Sequence, residues 1–198
     1  MSSTRSAPVH IWMFCGYAGS GKTHAANHLQ SLLNPASTYV SAFADAVKDD
    51  VAAMYRLPRT LFDTQEGKAS LVKTPDGKRK ARDLLIEYSL AMKEAYGNAV
   101  WAEEVVRRIR SVTERRSIEH VILHDLRFKS EVETMYDEFD SSAEFVLHTI
   151  RILRPSIKSL PIPSEHDLDD FVADTSIENS GSKEELHSKI EELFRSIQ

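Results

Sequence analysis

Continuous apolar runs alternate along the chain with stretches in which apolar residues recur every three or four positions. Runs of the first kind predict strands buried on both faces; the others predict amphipathic helices. Residues 9–15 predict a strand, and Ala25, Ala26, Leu29, Leu32 and Leu33 mark one face of the helix that follows, ended by Asn34-Pro35. Residues 38–43 predict a second strand, and 44–56 a second helix through Val47, Val51 and Met54. Periodicity fades from 57 to 79, where Pro58, Gly67 and the turn signal Pro75-Asp76-Gly77 predict a surface segment able to move.

Two amphipathic helices come next. Residues 80–96 turn Leu84, Leu85, Tyr88, Ala91 and Ala95 inward, and 99–114 turn Trp101, Val105, Ile109 and Val112 inward, with Gly97-Asn98 between them. Residues 120–124 predict a buried strand. Residues 129–139 predict a helix through Val132, Met135 or Tyr136, and Phe139, and 145–153 a strand stopped by Arg154-Pro155. Residues 156–174 are loop-like, 174–178 predict a last strand, and Ser182 with Glu185 forms a capping box for a helix carrying Leu186, Ile190, Leu193 and Ile197.

This alternation predicts an α/β fold: a mostly parallel five-stranded sheet with helices on both faces. With 198 residues the expectation is one domain spanning 1–198. At 41% apolar and 28% charged residues, the composition is that of an ordinary globular chain, and no apolar run is long enough to span a bilayer, so no membrane role is expected. The short polar stretch 1–8 lacks the apolar core of a signal peptide, which predicts a cytoplasmic protein. The single cysteine, Cys15, excludes an internal disulfide and reads as a buried small hydrophobe. A net charge of −5 argues against binding a nucleic-acid polymer.

Chemistry enters at residues 16–23. Gly16-Tyr17-Ala18-Gly19-Ser20-Gly21-Lys22-Thr23 fits the phosphate-loop pattern G-x-x-x-x-G-K-[ST] at every specified position, between the first strand and the first helix. Glycines let the backbone turn tightly and approach a phosphate chain, while successive N–H groups and the positive end of the helix dipole face the anion. Lys22 can then reach the β- and γ-phosphates of a nucleoside triphosphate, and the Thr23 hydroxyl can ligate magnesium. Ligands of such sheets gather at the carboxyl ends of the strands, which selects the neighbourhoods of Gly16, Asp45, Asp125 and Arg154. Asp125 ends a strand, where a carboxylate can hold magnesium through water, and Arg127 can meet a transferring phosphoryl group. The cluster Lys78, Arg79, Lys80 and Arg82 opens a predicted helix and can bind a monophosphate, with Arg82 the preferred residue. The arginines from 107 to 116 read as a solvated face, and His24 with His28 as surface or core histidines lacking a third ligand nearby in sequence. Trp101 opens an apolar stripe and reads as core before base stacking.

In order behind the phosphate loop come Phe43-Ala44-Asp45-Ala46-Val47-Lys48, Arg82-Asp83-Leu84-Leu85, Trp101-Ala102, residues Asp125 to Glu131, and Asn179-Ser180-Gly181. Taken together they resemble the phage-type deoxynucleoside monophosphate kinases. The resemblance implies a P-loop kinase fold with a mobile helical acceptor-binding segment at about 44–116 and a lid-like loop at about 154–173, using ATP and Mg2+ on a deoxynucleoside monophosphate. It implies an acceptor set of Asp45, Lys48, Lys68, Arg82, Trp101 and Glu131. Arg151 and Arg154 are candidate lid arginines, Arg151 being counted with the acceptor set, and Asn179 is expected near adenine. Lys22, Asp125, Arg127 and Arg154 would then carry the transfer. Two other readings stay open: a kinase of another small phosphomonoester such as phosphomevalonate, and a non-catalytic nucleotide-binding regulatory protein. Small-molecule nucleotides are the expected partners, with homodimerisation left open.

Overall fold

In the computed structural model, residues 7–197 are described; the expectation for residues 1–8 falls, as far as residue 6, outside them. The chain opens with β1 (Val9–Cys15), enters α1 (Lys22–Leu32) through the glycine loop, and continues through β2 (Thr38–Ser41) to α2 (Phe43–Tyr55). A short helix α3 (Gln65–Ala69) and the hairpin β3 (Leu71–Thr74) with β4 (Gly77–Lys80) lead to α4 (Ala81–Tyr96) and α5 (Val100–Arg115). There follow β5 (His120–Leu123), α6 (Lys129–Phe139), β6 (Phe145–Leu153), the single turn α7 (Pro163–His166), β7 (Thr175–Glu178) and α8 (Lys183–Ile197).

The main sheet has the order β2-β5-β1-β6-β7, and every pairing in it is parallel. Parallel strands need crossovers, and helices supplied by those crossovers cover both faces. Alternation along β1 divides the core accordingly. Ile11, Met13 and Cys15 point to one face, against Val105 and Ile109 of α5 and Met135 and Phe139 of α6. Trp12 and Phe14 point to the other, against Ala25 and Leu29 of α1 and Leu186 and Ile190 of α8. Each fully buried Val, Leu, Ile, Phe or Met among them contributes about 1.5–3 kcal/mol. A separate cluster joins Val47 and Val51 of α2 to Phe62, Val72, Leu84 and Trp101, and gives the helical segment beside the sheet its own core.

The differences from the sequence expectation are local. The second strand stops at Ser41, because the main-chain N–H groups of Phe43 and Ala44 are drawn to the carboxylate of Asp125 and open α2 there. In α2 the inward face is carried by Ala46, Val47, Val51 and Ala52, while Met54 is 57% exposed. Leu32 and, in α4, Ala91 and Ala95 are likewise exposed; α4 buries Ala81 and Leu84 near its start. Residues 57–79 are not without structure: besides α3, Pro75 and Asp76 form the turn of an antiparallel hairpin. Lys78, Arg79 and Lys80 therefore lie on a strand, and Arg79 pairs with Glu87. The segment before β7 holds α7, whose Glu165 is buried.

Candidate active site

The first strand delivers the glycine loop to the carboxyl edge of the sheet, between β5 and β6, where successive connections leave in opposite directions. Gly16, Gly19 and Gly21 all have positive φ. Two of these positions also have no room for a side chain: a Cβ at Gly16 would sit 2.4 Å from the Ile152 carbonyl oxygen, and one at Gly21 would sit 2.5 Å from Asn179 Nδ2. The loop is thus wrapped by β6 and by the end of β7. The side-chain amide of Asn179 donates to the Ser20 carbonyl at 2.8 Å, and the Asn179 main-chain N–H donates to Leu153 O at 2.6 Å. Asn179 itself is buried, so its amide is turned to the loop backbone.

Lys22 is 7% exposed and curls back, donating to the carbonyls of Gly16 at 2.6 Å and Tyr17 at 2.8 Å. Burial pulls its pKa down to about 8; the Arg127 guanidinium adds to this, while the Glu165 and Asp125 carboxylates oppose it. The Ser20 hydroxyl is buried with no partner inside the loop. Thr23, in the first turn of α1, is exposed. A glycine-walled cradle, an unpartnered hydroxyl and a lysine resting on its own loop carbonyls fit the binding of a polyphosphate.

Beside the loop, Asp125 lies two residues past the end of β5. Both oxygens of its carboxylate accept main-chain hydrogen bonds, from Phe43 at 2.8 Å and Ala44 at 3.1 Å, so Asp125 caps α2. Each oxygen keeps lone-pair capacity for a second partner. Two residues on, Arg127 donates through Nη1 to Glu165 Oε1 at 2.8 Å. The Glu131 carboxylate is buried and accepts from the N–H groups of Arg127 at 2.7 Å and Phe128 at 3.0 Å, which fixes the backbone that carries Arg127. Burial and the Asp125 charge push the Glu131 pKa up to about 8, against the pull of those two donors.

The helical segment contributes cations from the other side. Lys68, on α3, has a lowered pKa, first because it is partly buried and then because of the positive charges of Lys48, Arg82 and Arg127, against the pull of Asp63. Lys68 therefore sits in a field shared by Arg127 from the loop side and Arg82 from the start of α4, where Arg82 pairs with Gln65. Lys48 bonds Asp45 at 3.1 Å and Asp63 at 3.5 Å. Asp45 also accepts from the Ala42 N–H and from Arg59. Arg59, which the sequence reading did not single out, joins Asp45, Asp49 and Asp63 and is the hub that ties α2 to the 3-10 turn Arg59–Phe62. Trp101 is 6% exposed, packs near Tyr88 and leaves its indole N–H buried without a hydrogen-bond partner among the described residues, so it serves as core in this segment.

A cleft of about 450 Å³ opens on the β6 side of the loop, lined among others by Gly16, Tyr17, Arg151, Arg154, Ile157 and Asp169. Arg154 is exposed there. Arg151 instead spends its guanidinium on the carbonyls of Leu168 and Phe171, both at 2.7 Å, and anchors the segment before β7. The arginine run of α5 lines a different groove of about 380 Å³ with Tyr39 and Glu104, which shares no residue with the loop cleft. His24 and His28 gain in space what they lack in sequence: α8 brings His187 to 2.8 Å from His24 and Glu191 to 3.2 Å from His28. Among the described residues, no group of three or more His, Cys, Asp or Glu is arranged to hold a metal ion.

Among the described residues no helix is long and apolar enough to cross a membrane. No known family model matches the chain, and no curated protein matches it. Solved structures match in shape. The crystal structure of APE1195 is 11% identical with a TM-score of 0.50, covering 98% of each chain. The Deinococcus radiodurans tunicamycin resistance protein is 12% identical at a TM-score of 0.49, covering 95% of each chain. The Mycobacterium tuberculosis APS kinase CysC in complex with AMPPNP and APS is 12% identical at a TM-score of 0.47, covering 96% of this chain and 99% of that one. These likenesses are of fold. The chain has an α/β architecture, a five-stranded parallel sheet with a glycine loop behind its first strand.

Proposed function

We propose that this protein is an ATP-dependent phosphotransferase that moves a phosphoryl group onto a deoxynucleoside monophosphate. The observation that carries the reading is that cations from two parts of the chain share one neighbourhood: Lys22 feels Arg127, and Lys68 feels Arg127, Lys48 and Arg82, with the carboxylates of Glu165, Asp125 and Asp63 interleaved. A protein that only bound ATP would need the loop end of this neighbourhood; cations on a separate helical segment meet a second anion. The finer choice of a deoxynucleotide acceptor rests on the motif order described above.

In this reading the loop N–H groups and Lys22 hold the phosphates of ATP, and Arg82 with Lys68 holds the phosphate of the acceptor. Arg127 stands between them and neutralises charge on the group in transit, with Arg154 closing from the cleft side. Phosphoryl transfer demands little covalent work from a protein, so positioning and charge neutralisation account for most of the acceleration. Thr23 and Asp125 are the residues that would hold Mg2+, which supplies further charge neutralisation on the phosphates when bound. A coupled ADP-release assay with ATP over all deoxy- and ribonucleoside monophosphates, with phosphomevalonate alongside, tests the assignment. Acceptor-dependent ADP release with a deoxynucleotide is the expected result. Tight ATP binding with no acceptor-dependent turnover would move the protein into the regulatory class.

A further inference from the structure

Residues 154–174, between β6 and β7, place one acidic side chain inside the glycine loop. The side chain of Glu165 is 1% exposed. Its Oε2 accepts the main-chain N–H of Ala18 at 2.7 Å, and its Oε1 accepts Nη1 of Arg127 at 2.8 Å. A phosphate-loop amide and a guanidinium converging on two oxygens of one anion is the coordination that a phosphoryl group would receive at this place. Lys22, the residue of such a loop that reaches the outer phosphates, feels the charges of both Arg127 and Glu165, so this carboxylate stands at the outer-phosphate end of the loop.

The remainder of the segment is held in two ways. At its base Leu168 is buried in the core and Arg151 grips the carbonyls of Leu168 and Phe171. Ahead of that anchor the ties are polar and exposed, such as the Lys129 main-chain N–H to Asp167 at 2.7 Å and His166 Nδ1 to Asp169 at 2.8 Å, and exposed ties of that kind are worth little in water. The segment thus has a fixed base and a tip that can release.

We propose that Glu165 is a built-in stand-in for the terminal phosphoryl group of ATP, closing the loop in the nucleotide-free protein, so that ATP binds by displacing this carboxylate from Ala18 and Arg127. The device rests on the ATP-binding reading above and adds a regulation to it. It penalises a triphosphate, which must evict Glu165, and spares a diphosphate, which ends before reaching it. The penalty equals the fraction of molecules already open, since apparent affinity falls by that factor.

The test is calorimetric titration of a nonhydrolysable ATP analogue and of ADP, each with Mg2+, into wild type, Glu165→Gln and Glu165→Ala. Glu165→Gln keeps the shape of the side chain and guards against a variant that fails to fold. Both variants are expected to bind the ATP analogue at least about tenfold more tightly than wild type, with ADP changed by less than about threefold. Trypsin cleavage after the exposed Lys158 is expected to accelerate in nucleotide-free Glu165→Gln. Unchanged or weaker binding of the ATP analogue by folded variants, with wild type still binding nucleotide, overturns the stand-in and leaves the ATP reading intact. Loss of turnover with unchanged affinity makes Glu165 a positioning residue for Arg127 and also overturns it. Failure of every variant and of wild type to bind either nucleotide removes both.

Discussion

Asp125 accepts the main-chain N–H of Phe43 at 2.8 Å across 82 positions of sequence, and so fixes the start of α2 against the end of β5. One carboxylate thereby joins the glycine-loop half of the site to the helical segment that carries Lys48. Asp125→Ala is expected to destabilise the fold by about 1–2 kcal/mol, the cost of losing a helix cap. Urea unfolding measures that loss; a variant as stable as wild type would contradict the capping role.

Lys22→Ala is expected to lower phosphoryl transfer by at least about a hundredfold, the usual cost of removing one donor aimed at developing negative charge. Far-UV circular dichroism is expected to stay as in wild type. Near-normal turnover by a folded variant would refute the assignment.

The lysine also sets a pH dependence. Its pKa in the folded protein is about 8, below the ordinary 10.5, because burial disfavours the charged form. Nucleotide binding needs the cation, so affinity for ATP is expected to fall as pH rises through about 8, by as much as about tenfold per unit. Across the same window the unfolded chain holds more protons at this site than the folded one. Nucleotide-free stability therefore carries a penalty below pH 8 that is relieved toward pH 10.5. Titrations of ATP affinity with Lys22→Arg, which stays charged, are expected to lose the fall.

Gly16→Ala places a methyl group against the Ile152 carbonyl at a φ of 133°. The expected cost is about 1–3 kcal/mol of stability, together with loss of nucleotide binding. Thermal melting in the absence and presence of ATP measures both; a variant that melts like wild type and still gains from ATP would show that the loop can yield.

Arg59→Ala removes three carboxylate contacts from a side chain that is 31% exposed. Solvent screening limits the expected loss to about 1 kcal/mol, smaller at high salt. Equal destabilisation at low and high ionic strength would point to packing as the cause.

The sequence made the sheet and the loop legible because the inner strands β1, β5 and β6 are apolar-rich runs and the crossover helices carry a period. The bounds of β1, α6 and β6 coincide with the apolar patterns, and Gly16 to Thr23 sits at the strand-to-helix turn that its motif requires. The hairpin β3–β4 escaped because each strand has four residues and the inward positions are Val72 and Thr74, too few to set up a visible alternation. Met54 misled because small residues, Ala46 and Ala52, fill the face that α2 turns to its neighbours. Asp125 was visible as a strand-end carboxylate, but its attachment to α2 depends on two main-chain donors that have no side-chain signature. Glu165 could not be found at all from local pattern: it lies in a proline-containing stretch 147 positions from Ala18, and folding alone brings the two together.

The contact between Asn179 and Ser20 spans 159 positions, so the anion cradle borrows its back wall from a segment made long after the loop itself. During synthesis, β1 and the glycines leave the ribosome long before that wall exists. A stalled nascent chain that stops before β7 is therefore expected not to retain ATP, whereas one that has extruded α8 is expected to do so. That outcome would mean that nucleotide cannot act as a template for the early stages of assembly.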